Sequence, residues 1–156
     1  MIWIEKLQPE YKAALLDISI SPEQLPFVGT AAEFLADKQK GIHHHVILVN
    51  REVIGFFKID TSYFHHYDFC DGPALGLRAV CIDEKFQGKG IGTEFIRLLK
   101  RYLQKHFPSF PLIYLTVNCK NPGAFKCYRR GGFADTGFLY LGGEYGPQHV
   151  MRMELK

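Results

Sequence analysis

A chain of 156 residues is the size of one domain and can bury about two-thirds of the surface its unfolded form exposes, so residues 1–156 are expected to form a single domain. Apolar residues make up 47% and charged residues 22%, which excludes wholesale disorder. The net charge of +3 is modest and the basic residues are scattered, so no nucleic-acid surface is indicated and an anionic ligand fits equally well.

Cys70, Cys81, Cys119 and Cys127 show neither C-x-x-C pairing nor metal-ligand spacing, and read as reduced, structural thiols. The opening Met1-Ile2-Trp3-Ile4-Glu5-Lys6 is soon interrupted by charge, unlike a signal peptide. No apolar run approaches the roughly 18 residues needed to cross a bilayer, so a cytoplasmic setting without membrane or nucleic-acid partners is expected.

In chain order, residues 2–7 read as a strand and 9–18 as a short helix with Ala13, Ala14, Leu15 and Ile18 on one side. Residues 19–29, with Pro22 and Pro26, read as a loop. Thr30 then caps a helix to about Lys38, with Glu33 in the capping-box position. A turn at Gly41 leads into His43-His44-His45. Strands at 46–49 and 53–60 follow, joined by Asn50-Arg51-Glu52 as an antiparallel hairpin. Residues 61–73, rich in Tyr, Phe, His and Asp, have no period and read as a loop able to wall a substrate site.

Residues 74–82 read as a strand covered on both faces, with Leu75, Leu77, Ala79 and Cys81 on one side and Val80 and Ile82 on the other. A glycine run follows. After it, Ile91, Phe95, Leu98, Leu99, Tyr102 and Leu103 recur at helical spacing to about His106, opposite Glu94, Arg97, Lys100, Arg101 and Lys105. A strand at 112–117 after so long a helix implies a right-handed crossover and a parallel pair. A short helix at 123–130, stopped by Gly131-Gly132, and strands at 133–141 and 149–155 complete the chain.

The glycine run Gln87-Gly88-Lys89-Gly90-Ile91-Gly92, between a strand and a helix, lets several backbone N–H groups turn toward one anion at a helix N-terminus, which predicts a bound phosphate or pyrophosphate. A Walker-type loop would need Ser or Thr after Lys89, where Gly90 stands. A dinucleotide fingerprint would need glycine where Thr93 stands.

The segment from Leu77 to Gly92 instead resembles the GNAT superfamily of acetyl-coenzyme A-dependent N-acetyltransferases, with Gln87, Gly88 and Gly90 in the pattern Gln/Arg-x-x-Gly-x-Gly/Ala. A second block, Asn121-Pro122-Gly123-Ala124-Phe125-Lys126-Cys127-Tyr128-Arg129-Arg130-Gly131-Gly132-Phe133, resembles the later motif of that family. The resemblance implies a mixed α/β (α+β) fold, with about seven strands, one splayed parallel pair and about four flanking helices. It also implies acetyl-coenzyme A as co-substrate, no metal, and a small-molecule primary amine as acceptor, attacked directly.

By the same resemblance, Gln87, Gly88, Lys89, Gly90, Ile91 and Gly92 hold the pyrophosphate. Val80 and Ile82 pair with the pantetheine arm, and the Val80 N–H faces the acetyl oxygen. Asn121 bonds the pantetheine arm, Lys126 meets phosphate, and Tyr128 is the general acid toward the departing thiolate. Arg129 and Arg130 are further phosphate candidates or solvated charges.

The general base is missing from its usual strand, where Gly76 and Arg78 stand in place of Glu or His. His65, His66, Asp71, Glu144 and Tyr145 are the remaining candidates; Cys81 as an acyl carrier is weighed against a structural thiol. Neighbouring histidines on an extended segment face opposite ways, so His43-His44-His45 predicts no metal site. Ser21 to Val28 resembles a segment of diamine and polyamine enzymes, for which Glu33, Asp37, Asp68, Asp71 and Glu144 would have to converge, while Arg78 argues against a polycation. A non-catalytic acyl-coenzyme A sensor is the alternative of another class, and exposed final strands leave a homodimer open.

Overall fold

A computed structural model of the chain describes residues 1–156 as a seven-stranded mixed sheet with helices on both faces. The strands are β1 (Ile2–Lys6), β2 (Ile42–Val49), β3 (Glu52–Asp60), β4 (Leu75–Ile82), β5 (Leu112–Asn118), β6 (Ala134–Tyr140) and β7 (Gln148–Glu154), in the spatial order β1-β2-β3-β4-β5-β7-β6. Only β4 and β5 run parallel. The helices are α1 (Lys12–Leu16), α2 (Leu25–Val28), α3 (Ala31–Ala36), α4 (Tyr63–His66), α5 (Ile91–His106) and α6 (Pro122–Gly131).

Local chemistry sets several of these boundaries. The Thr30 hydroxyl accepts from the Glu33 N–H and the Glu33 carboxylate accepts from the Thr30 N–H, both at 3.0 Å, so the capping box starts α3 as expected. Asn50 and Arg51 both have positive φ, the conformation of a two-residue hairpin turn, and Glu52 already pairs with Val49. The histidine run lies within β2 rather than in a turn. His44 bonds the Phe34 carbonyl on one face, while His43 and His45 meet Phe107 and Tyr102 on the other.

Four expectations need correction. The helix expected over 9–18 divides into a 3-10 turn at Pro9–Tyr11 and α1. The loops at 19–29 and 61–73 each contain a single helical turn, α2 and α4. The faces of β4 do not alternate as the sequence suggests: Leu75 and Leu77 lie in the main core, Val80 and Ile82 pack against that same core, and Cys81 lies in the cluster on the opposite face. A bulge explains this, because β4 spends one more residue than β3 between the pairs Lys58↔Arg78 and Phe56↔Cys81, and Ala79 sits there at φ +54°.

The main core lies between the sheet and α5. Phe95, Ile96, Leu99 and Leu103 of that helix are fully buried against Ile47, Ile54, Phe57, Leu75 and Ile113, each worth about 1.5–3 kcal/mol of burial. The helix α6 packs on α5 through glycines: a Cβ on Gly92 would stand 2.7 Å from Cys127 Sγ, and one on Gly131 would collide with Ile96. A smaller core, Leu15, Phe34, Val46, Leu48 and Phe56, lies under α1 and α3 on the other face. Tyr63, Ala74, Tyr114 and Val150 form a third beneath the 61–73 segment. No helix is long and apolar enough to cross a membrane.

Candidate active site

The parallel pair β4 and β5 is joined at only two positions, Leu75↔Ile113 and Gly76↔Tyr114. Beyond them the strands part, and the β4 edge from Leu77 onward has no ladder partner on the β5 side. The bulge at Ala79 lies in the opposite, β3-paired edge of the strand, and Arg78, Ala79, Val80 and Ile82 all line the opening. A cleft of about 780 Å³ occupies the gap, bounded by β4, β5, α2, α6 and the start of α5.

At one end of the cleft stands the glycine turn. Asp83 is 5% exposed; its N–H donates to the Ile54 carbonyl at 2.7 Å and its carboxylate accepts from the Lys85 N–H at 3.0 Å, starting a 3-10 turn over Glu84–Phe86. The Gln87 side chain donates back to the Ile82 carbonyl at 2.9 Å and ties the turn to the end of β4. Gly88 and Gly90 both have φ of +76°, and a Cβ on either would meet no atom within 4 Å. The N–H groups from Gly88 to Thr93 make no hydrogen bond within the protein; the first paired one is Glu94, which donates to Gly90 at 3.2 Å. A run of bare donors at the positive end of a 16-residue helix is a strong anion site. In the turn before it, Gly88 and Gly90 leave open space beside these donors.

Tyr128 enters from α6. Its ring meets Phe133 edge to face at 6.0 Å, its hydroxyl bonds to no protein group, and burial keeps that hydroxyl protonated well above the ordinary phenol range. Beside it, Thr93 Oγ1 donates to Cys127 Sγ at 3.9 Å. The amide of Asn121 caps α6 by accepting from the Ala124 N–H at 3.4 Å, and donates to the Gln24 side chain at 3.2 Å, which holds α2 over the cleft. Cys81 is 5% exposed, and burial pushes its thiol up to about 12, so it remains a protonated, unreactive group.

The other end is aromatic. Arg78 Nε donates to Asp60 Oδ2 at 3.0 Å, and its guanidinium lies 4.9 Å from the Tyr63 ring and 5.4 Å from the Tyr67 ring. Tyr67 meets Tyr140 edge to face, as Phe27 meets Tyr145. No Asp, Glu or His lines the cleft.

The structure brings Val80, Ile82, Gln87, Gly88, Gly90, Ile91, Gly92, Asn121 and Tyr128 together along this one opening. The side chains of Lys89 and Lys126 are not on its walls. The Lys89 ammonium lies 5.7 Å from the Phe86 ring, and Lys126 is exposed on α6. The basic residue of α6 that does line the cleft is Arg130. Among the candidate bases only Tyr145 reaches the cleft: His65, His66 and Glu144 are exposed, and Asp71 faces Arg152 at 3.8 Å. Sequence reasoning missed Asp83 and Gln24, whose roles depend on contacts with Ile54 and Asn121, far away in the chain.

A sheet opened between two parallel strands, with a glycine turn and an unpaired helix N-terminus at one end of the gap, defines a mixed α/β protein with its main cleft between those strands. The chain belongs to the acetyltransferase (GNAT) family, whose model matches residues 4–133. It is 28% identical over 144 residues to a spermine/spermidine N(1)-acetyltransferase of Bacillus subtilis (strain 168), covering 90% of this chain and 93% of that protein. Its fold is similar to that of aminoglycoside acetyltransferase AAC(6')-Ib in complex with coenzyme A and kanamycin, with a TM-score of 0.77 and 19% identity over 99% of this chain and 95% of that one. Spermidine N-acetyltransferase from Vibrio cholerae in complex with CoA and spermine superposes with a TM-score of 0.73 at 18% identity, covering 99% and 95%.

Proposed function

We propose that this protein is an N-acetyltransferase that moves an acetyl group from acetyl-coenzyme A to the primary amine of a small molecule by direct attack, without an acyl-enzyme. The observation that carries the reading is the unpaired N–H run from Gly88 to Thr93 at one end of the cleft that also holds Tyr128. Acetyl-coenzyme A supplies an acyl thioester: a carbon–nitrogen bond forms, the carbon–sulfur bond breaks, and one proton passes from amine to thiol.

The chain's part is positioning and proton handling. Backbone donors from Gly88 to Gly92 grip the diphosphate, with the α5 dipole behind them and Arg130 beside them. The unpaired edge of β4 at Val80 and Ile82 holds the pantetheine arm as a strand partner. The Val80 N–H donates to the acyl oxygen, where a fixed donor gains strength as negative charge grows. Tyr128 gives its hydroxyl proton to the leaving thiolate and regains one from solvent. With no carboxylate or imidazole on the cleft walls, water takes the proton shed by the amine.

A polyamine acceptor is a second reading, motivated by the 28% identity to the Bacillus subtilis enzyme. Thiol release and acetylated product, measured over a panel of primary amines, test the activity itself. Release that requires an amine is expected; coenzyme A binding with no release over a broad panel would favour a sensor and remove the enzyme reading.

A further inference from the structure

Resting on the acetyltransferase reading above, we propose that the acceptor is an amine that also bears an anionic group, a carboxylate or phosphate held by Arg78, on an apolar or aromatic body. Arg78 and Arg130 are the only charged side chains on the cleft walls, Arg78 on β4 and Arg130 near the C-terminal end of α6. The five carboxylates that a polycation would require do not converge there. Glu33 closes the capping box, Asp37 binds Lys58 at 2.7 Å, and Asp71 faces Arg152; Asp68 and Glu144 are exposed, away from the walls.

Arg78 is built as a fixed anion fork. Asp60, 4% exposed, accepts from Nε and is itself held by the Ser62 N–H at 2.8 Å. The Tyr67 hydroxyl accepts from Nη2 at 3.4 Å, and Tyr63 and Tyr67 lie against the guanidinium. The Nη1 group has no protein partner, and the side chain is 35% exposed where it lines the cleft. A planar guanidinium braced in this way presents donors suited to a carboxylate or phosphate with little side-chain freedom left to lose.

The same arrangement disfavours a polyamine. The Tyr63 and Tyr67 faces that could receive an ammonium already carry the guanidinium. A second ammonium would stand beside a like charge with no carboxylate on the walls to offset it. Arg78 also favours the neutral form of a nearby amine, which is the nucleophilic form, so it assists where no base is present.

The test uses the intact protein with matched acceptors: phenylalanine against phenethylamine for a carboxylate, 2-aminoethyl phosphate against ethanolamine for a phosphate, and spermidine as the polycation. Two readouts are taken, kcat/KM from thiol release and Kd from calorimetry on the coenzyme A-loaded protein. At least one anionic acceptor should exceed its matched partner and spermidine by about tenfold or more in both, and which pair responds tells carboxylate from phosphate. Arg78→Gln should raise KM for that acceptor by about 10- to 100-fold with a smaller change in kcat. Because that variant leaves Asp60 unpaired and can unfold, Arg78→Lys, which keeps the charge, should show the same direction with a smaller rise. Preference for spermidine or for the uncharged-body amines would overturn the inference and leave the acetyltransferase reading standing. Absence of thiol release with every amine would overturn that reading instead, and calorimetry would still decide the Arg78 assignment: Arg78-dependent binding of an anionic amine supports it, and no such binding refutes it.

Discussion

Tyr102 and His45 meet at 2.8 Å inside the core, the hydroxyl donating to Nε2 of a fully buried imidazole. Nδ1 faces the His43 carbonyl at 3.1 Å and so carries the hydrogen, which makes Nε2 the acceptor. The ring stacks on Phe57 at 4.9 Å, and burial pushes its pKa from 6.5 down to about 4. Between pH 6.5 and about 4 the unfolded chain therefore binds a proton that the folded chain does not. Stability from this group is full above pH 6.5 and is lost as pH falls through that window, by about 3 kcal/mol in total. His43 and His44 are also lowered by burial, so the comparison must isolate His45. Urea midpoints at pH 7 and pH 4.5 should fall further for the natural protein than for the His45→Phe/Tyr102→Phe pair, and equal falls would remove His45 as an acid-sensitive group.

Gly90 carries two demands at once. At φ +76° it caps α5 in the left-handed region, where an L-residue costs about 1–2 kcal/mol, and its open side lies on the cleft. Gly90→Val should weaken coenzyme A binding by about tenfold or more, the loss of a charge-assisted backbone contact or two. Gly72 is the matched control, since it too has positive φ, +82°, and open space around it, but lies outside the cleft. Gly72→Val should cost similar stability and leave coenzyme A affinity unchanged. Equal affinity losses in the two variants would mean that Gly90 acts through stability alone.

The two motif blocks were legible because their geometry is local: Gln87, Gly88, Lys89 and Gly90 form the turn that opens α5, Asn121 caps α6, and each announces itself in consecutive residues. The Thr30 and Glu33 capping box was legible for the same reason. The bulge at Ala79 was not, since no glycine marks it and a largely apolar stretch reads as simple alternation. Nor was the destination of the acidic residues legible: Asp37 is committed to Lys58 and Asp60 to Arg78 by pairings across the sheet, which composition cannot reveal. Lys89 and Lys126 fit the phosphate role by sign of charge, but helix phase and turn direction point them elsewhere and leave Arg130 on the cleft.

Tyr128 stands in the cleft with a hydroxyl that no protein acceptor claims. Tyr128→Phe keeps the ring against Phe133 and removes only the proton source, so turnover should fall by about 10²- to 10⁴-fold while coenzyme A affinity stays within about twofold. Burial raises this phenol above its usual range, so the proton remains in place through mildly alkaline pH. The kcat profile of the natural protein should accordingly show no descending limb from Tyr128 between pH 7 and pH 9. Unchanged turnover in the phenylalanine variant would remove it as the acid.

Gly76 explains why the strand carries no carboxylate at the position where the family pattern would place one. Any Cβ there would run into the ring of Tyr63, which is 2% exposed and is the platform on which Arg78 rests. Gly76→Ala should therefore displace Tyr63, cost about 1–3 kcal/mol, and loosen the guanidinium it supports. The collision is specific to that ring, so the same substitution made on a Tyr63→Val background should cost much less, a coupling visible in a double-mutant cycle by urea denaturation. By this logic Gly76→Glu does not install a working base, because the side chain enters a space already filled and forces Tyr63 toward Arg78. A Gly76→Ala variant as stable as the natural protein would show that the ring can yield, and would reopen the strand as a place for a base.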